Sequence, residues 1–63
     1  MFGEAVKRER ESQKLSQRSL ASMVGTSQAR IWEIEAGLAN PSLEAICKIA
    51  DGLGVKVSDL VQF

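Results

Sequence analysis

The 63-residue chain is predicted to be a single all-α domain of five short helices, residues 1–63 throughout. Three observations carry this reading. Apolar residues recur at spacings of three and four, the period of a helix face, and do not alternate as a strand would. No run of β-branched residues is followed by a hairpin turn signal. Most of the apolar stripes are preceded by Ser or Thr, and three are followed by Gly, the residues that start and stop helices.

Each element follows from that punctuation. The first helix is expected over Phe2 to Gln13, with Phe2, Val6 and the stem of Arg10 on one face. The second runs from Gln17 to Val24, with Ser16 as N-cap, Leu20, Ala21 and Val24 as its stripe, and Gly25 as its stop. The third covers Ser27 to Ala36 with Thr26 as N-cap. Its inner arc is Ile31, Ile34, Glu35 and Leu38, and Gly37 ends it. The fourth covers Leu43 to Leu53, after Pro41 and with Ser42 as N-cap; its buried set is Leu43, Ile46, Ile49, Ala50 and Leu53, ended by Gly52 and Gly54. The fifth is a short turn from Asp59 to Gln62, with Ser58 as N-cap and Leu60 inward.

The composition is 44% apolar and 25% charged, which is that of a globular protein. The longest unbroken apolar run, Ala45–Ile46–Cys47, is far too short for a membrane span, so no membrane partner is expected. An N-terminus without an apolar segment argues against a signal peptide and for a cytoplasmic location. The single cysteine excludes an internal disulfide, and Cys47 is expected as a core or half-buried residue in a reducing compartment. With no histidine, a structural zinc site and the Ser-His or Cys-His nucleophile pairs drop out. Gly52 and Gly54 follow no strand pattern and are not read as a phosphate loop. No metal, cofactor or catalytic residue is expected.

The net charge is zero, whereas nucleic-acid binders are usually basic. That zero is polarised. Residues 1–30 hold six basic and three acidic side chains, a net +3, and residues 31–63 hold two basic and five acidic, a net −3. A basic side can therefore face a polyanion.

The informative stretch is Gln17 to Gly37. Two short helices joined by a tight turn at Gly25–Thr26 have the spacing of a helix-turn-helix, whose second helix enters the DNA major groove. Ordinary helix packing gives the same spacing, so by itself it leaves both readings open. The ordered residues add to it: Leu15-Ser16-Gln17, Leu20-Ala21, Gly25-Thr26-Ser27, Ile31-x-x-Ile34-Glu35-x-Gly37 and Asn40-Pro41-Ser42. Ile49-Ala50-x-x-Leu53-Gly54-Val55 and Ser58-Asp59-Leu60 follow. This set, spanning about residues 2 to 62, resembles the phage repressor and Cro type of helix-turn-helix domain, the XRE-like family. The resemblance implies a lambda-repressor-like five-helix fold and a sequence-specific DNA-binding regulator of transcription. Many members bind two-fold symmetric operators as dimers.

A helical wheel assigns roles within the third helix. Ala29 and Glu33 lie opposite the inner arc, Arg30 and Trp32 flank it, and Gln28 sits at the N-terminal tip. Gln28 can hydrogen-bond adenine bidentately, Glu33 can accept from cytosine, and Ala29 can touch a thymine methyl. With Ser27, these are the expected base contacts. Trp32 is expected as a half-buried ring packing beside the helix. Gln17 resembles the family's phosphate-contacting glutamine. Arg18, Arg30, Asn40 and Ser42 are the other expected contacts to the backbone. Many family members carry Lys or Arg just after Gly37, where this chain has Leu38 and Ala39, so modest affinity per monomer is expected. Glu35, on the inner arc, needs a partner; the family commonly pairs it with an Arg on the first helix, here Arg10. A homodimer through Val57, Val61 and Phe63 is expected, because one reading helix covers too few base pairs for a useful site. Two other functions stay open: an antitoxin that binds DNA and a toxin protein, and a protein-interaction module without DNA binding.

Overall fold

The structure is a computed structural model and describes residues 2–61. Among them five helices and no strand form: α1 (Phe2–Ser12), α2 (Gln17–Val24), α3 (Gln28–Glu35), α4 (Leu43–Leu53) and α5 (Val57–Leu60). The all-α, five-helix architecture is the expected one. Each helix sends one large apolar side chain fully out of water: Val6, Leu20, Ile31, Ile49 and Leu60. Burial of such a side chain contributes roughly 1.5–3 kcal/mol. Ala5, Ala21, Ile34, Ala50 and Leu53 complete the core, and Leu15, Val24 and Val55 pack against it from the connections and helix ends.

Helices α1 to α4 stop in one way. Two or three residues past the helix an amide reaches back to the carbonyl five residues earlier: Leu15 to Arg10 (3.1 Å), Thr26 to Ala21 (2.9 Å), Leu38 to Glu33 (2.9 Å) and Val55 to Ala50 (3.0 Å). That closure needs a left-handed residue in between. Glycine supplies it three times, but α1 closes on Lys14 at φ 58°, where a side chain is strained. The starts of α2, α3 and α4 are equally uniform. The hydroxyls of Ser16, Ser27 and Ser42 accept the amides of Ser19 (2.9 Å), Arg30 (3.1 Å) and Ala45 (3.2 Å).

Several expectations are corrected. Helix α1 ends at Ser12, one residue before Gln13. Ser27, not Thr26, caps α3, because the first intrahelical bond runs from the Ile31 amide to the Ser27 carbonyl at 3.2 Å and the Ser27 hydroxyl takes the Arg30 amide. Helix α5 starts at Val57 rather than Asp59: the Asp59 carboxylate accepts the Lys56 amide at 2.9 Å, which makes Asp59 its third residue and puts Ser58 inside it. The expected end at Gln62 lies outside the described residues. Leu38, expected inside, is 69% exposed, because Gly37 at φ 77° turns the chain off the helical path before it. Leu43 is 73% exposed and Ile46 only half-buried, because the first turn of α4 projects beyond the neighbours that cover Ile49, Ala50 and Leu53. Cys47, on that same turn-and-a-half, is exposed.

The start of α1 abuts the end of α3. Gly3 is buried, and a Cβ there would collide with the backbone oxygens of Ile34 and Glu35. Only glycine permits this approach, which fixes the C-terminal end of α3 against α1.

Candidate nucleic-acid interface

The α2–turn–α3 unit is built from a few local choices. Gly25, at φ 80°, lets the chain reverse directly after Val24, and Ser27 starts the next helix two residues later. Leu20 and Ala21 of α2 and Ile31 and Ile34 of α3 are buried together in the core, which fixes the rotation of α3 about its axis. The flanks and outer side of α3 are then exposed, at Gln28, Ala29, Arg30, Trp32 and Glu33, as is Ala36 at its C-cap. The short side chains of Ala29 and Ala36 let this helix of 8 residues approach a surface closely.

Beside this face lies a polar network. The Arg10 guanidinium donates to both Glu35 carboxylate oxygens, at 2.7 Å from Nε and 3.1 Å from Nη2. Its Nη1 donates to the Leu15 carbonyl at 2.6 Å, and Gln17 Nε2 donates to Glu35 Oε1 at 3.1 Å. The side chains are nearly sealed, 10% exposed for Arg10 and 3% for Glu35. Hydrogen bonding to Glu35, with its negative charge adding to the effect, raises the Arg10 pKa against the opposing cost of burial. The bidentate fork ties α1, the α1–α2 connection, α2 and α3 into one frame.

The remaining expected site residues fall as follows. Gln28 is the first residue of α3 and exposed at its tip. The Ser27 oxygen is engaged as a cap, which leaves its O–H to donate. Gln17 gives one of its two side-chain N–H donors to Glu35. The backbone amides of Gln17 and Arg18 precede the first intrahelical bond, made by Leu20 to Ser16. Arg18 and Arg30 are exposed and form no ion pair among the described residues. Ser42 caps α4 and lines a cleft with Thr26, Arg30 and Lys48, the last paired to Glu44 at 3.1 Å. Asn40 is exposed on the α3–α4 connection. Val57 and Val61 are partly buried against the core, which leaves less apolar surface there than expected, and Phe63 lies outside the described residues.

Two placements were not legible in the sequence. Trp32, expected half-buried, is 52% exposed, because α1 and α2 cover only the arc of α3 next to it. Lys7 of α1 joins Gln17, Trp32, Glu35 and Ala36 around one recess, a grouping across three helices that no local pattern signals.

A rotation-locked helix presented behind a glycine turn defines a helix-turn-helix protein. The chain belongs to the helix-turn-helix family, whose profile matches residues 6–60. It is 34% identical over 62 residues to the SPbeta prophage-derived uncharacterized HTH-type transcriptional regulator YonR of Bacillus subtilis (strain 168). That match covers 98% of this chain and 57% of the relative, so the chain spans just over half of that protein's length. Among solved structures it resembles the restriction-modification controller protein C.AhdI from Aeromonas hydrophila, with a TM-score of 0.93, 32% identity, and coverage of 95% of this chain and 91% of that one. The P22 c2 repressor, solved with a synthetic operator, gives a TM-score of 0.91 at 26% identity, covering 98% and 94%. A chain of the SinR/SinI complex gives 0.91 at 30%, covering 98% and 61%.

Proposed function

We propose that this chain binds double-stranded DNA sequence-specifically and regulates transcription, as a repressor or controller that occupies an operator. The observation that carries this is the fixed outward face of α3, with Gln28 at its tip and Ala29 and Glu33 behind it, anchored by the buried Ile31 and Ile34. In this reading Ser27, Gln28, Ala29 and Glu33 meet base edges. Phosphates are held by Arg18, Arg30, Asn40, Ser42 and the first amides of α2, where the helix dipole favours an anion. Gln17 contributes its backbone amide and, through Glu35, a fixed position. The net +3 of residues 1–30 supplies attraction that the whole-chain charge conceals.

The operator is read by two copies related by two-fold symmetry, with reading helices about 34–36 Å apart. Val57, Val61 and Phe63 are the contact region in this reading; sedimentation with and without operator DNA tests it. The likeness to a chain solved in the SinR/SinI complex supports a second reading, in which a protein partner also binds the chain.

Selection of bound sequences from random duplex DNA tests the function directly and reports half-site spacing. On the selected site, Gln28→Ala is expected to lose roughly 1–3 kcal/mol and to relax preference at one base pair. Equal loss on cognate and random DNA would remove Gln28 from base reading. No enrichment of any sequence would overturn the function.

A further inference from the structure

The exposed indole of Trp32 is unexplained by folding. It is 52% exposed on the outer side of α3, and the residues three before and four after it, Ala29 and Ala36, are short and exposed, so the ring stands clear of its own helix. On its α2 side the ring borders the recess shared with Lys7, Gln17, Glu35 and Ala36.

The charge of that recess is decided by the network beneath it. Glu35 is neutralised by Arg10 and accepts a further hydrogen bond from Gln17. Lys7 is exposed and forms no ion pair among the described residues, although Glu4 and Glu11 lie one turn either side of it on α1. One uncommitted ammonium group beside an open aromatic face suits an occupant with an anionic part and an apolar part next to each other. A deoxyribose with its phosphate is such a unit.

Position selects the same occupant. When α3 lies in the major groove, the helix before it crosses the DNA backbone. Gln17 is the first residue of that helix and lines the recess, so the strand passing the start of α2 runs alongside Trp32. We propose that Trp32 packs on one deoxyribose of that strand while Lys7 holds its phosphate, which makes the pair a backbone clamp at the edge of the base-reading face. This rests on the proposed DNA binding. It also adds a cation to the DNA contacts, to which Leu38 and Ala39 supply no charge.

Trp32 is the only tryptophan and the chain has no tyrosine, so indole emission reports from this recess alone. The full chain is titrated with the duplex enriched by selection and with a random duplex, while acrylamide quenching is followed. Protection of the indole by both duplexes is expected. Trp32→Ala should weaken binding about tenfold on both, and Trp32→Phe should recover most of that loss. Lys7→Gln should flatten the slope of log K against log salt by about 0.9. Unchanged quenching on duplexes that do bind, or a Trp32→Ala variant that binds as tightly as the parent, would overturn the clamp and leave DNA binding intact. Indole protection by a protein partner but by neither duplex would overturn it as well. Failure of the parent chain to bind any duplex would overturn the DNA reading, and the clamp with it.

Discussion

Replacing Arg10 by Met tests the frame that positions the reading helix. The loss leaves Glu35, 3% exposed at its side chain, with Gln17 as its one remaining donor, and it strips the Leu15 carbonyl of its 2.6 Å partner. Removing one partner of a buried ion pair costs about 3–5 kcal/mol, mostly the penalty of stranding the other charge. Domains hold roughly 0.05–0.15 kcal/mol of stability per residue, so a chain of this length has on the order of 3–9 kcal/mol in total. Arg10→Met should therefore bring the protein close to its unfolding midpoint at room temperature. Urea denaturation followed by circular dichroism measures this. The combined Arg10→Met and Glu35→Leu variant should be more stable than Arg10→Met alone, because no charge is left buried. A parent-like midpoint for Arg10→Met, or energies of the two single variants that simply add, would refute the reasoning. The sign of the pH effect follows from the raised Arg10 pKa. A cation whose pKa rises on folding contributes in full below its ordinary value and loses that contribution only as pH climbs through the folded value. The ordinary arginine value already lies far above neutrality, so the Arg10 contribution should be constant across the neutral range.

Three further outcomes are expected. Gly3→Ala should lower stability by about 1–3 kcal/mol in thermal melts, although alanine is the better helix former, because its Cβ meets the rigid end of α3; a higher midpoint would mean that α1 stands off α3. Lys14→Gly should stabilise by about 1 kcal/mol, or roughly 4–8 °C in midpoint, by relieving the left-handed strain, and an unchanged midpoint would show that the Lys14 side chain compensates for it. DNA affinity should fall steeply with salt despite the zero net charge, with Arg18→Gln and Arg30→Gln each flattening the slope by about 0.9; a flat dependence in the parent chain would favour a protein-interaction module.

The five helices and most of their starts and stops, though not the start of α5 or the cap of α3, were legible in the sequence because their causes are local. Ser16 and Ser42 cap amides three residues away, and Gly25, Gly37 and Gly54 close helices within the same few residues. The inward positions of Leu20, Ile31 and Ile34 follow from the helical period, which also left Gln28, Ala29 and Glu33 outside. The pairing of Arg10 with Glu35, 25 residues apart, came from family resemblance, with burial supplying only the need for a partner.

Tertiary structure decided the rest. A wheel ranks the faces of one helix but does not say how far a neighbour extends to cover them. Hence Leu43 stands exposed at the start of α4, while Ile49 and Leu53 on the same helix are sealed. Leu38 left the inner arc because the chain turned at Gly37 before reaching it. Gln17 carries one donor group that several acceptors could use, and Glu35 was selected only when α3 docked against α2. The grouping of Lys7, Gln17 and Trp32 exists only because three separately specified helices meet at one edge of the fold. Local chemistry determines where each helix begins, ends and turns its apolar side; which side chains remain free to meet a partner depends on the finite lengths of the helices packed around them.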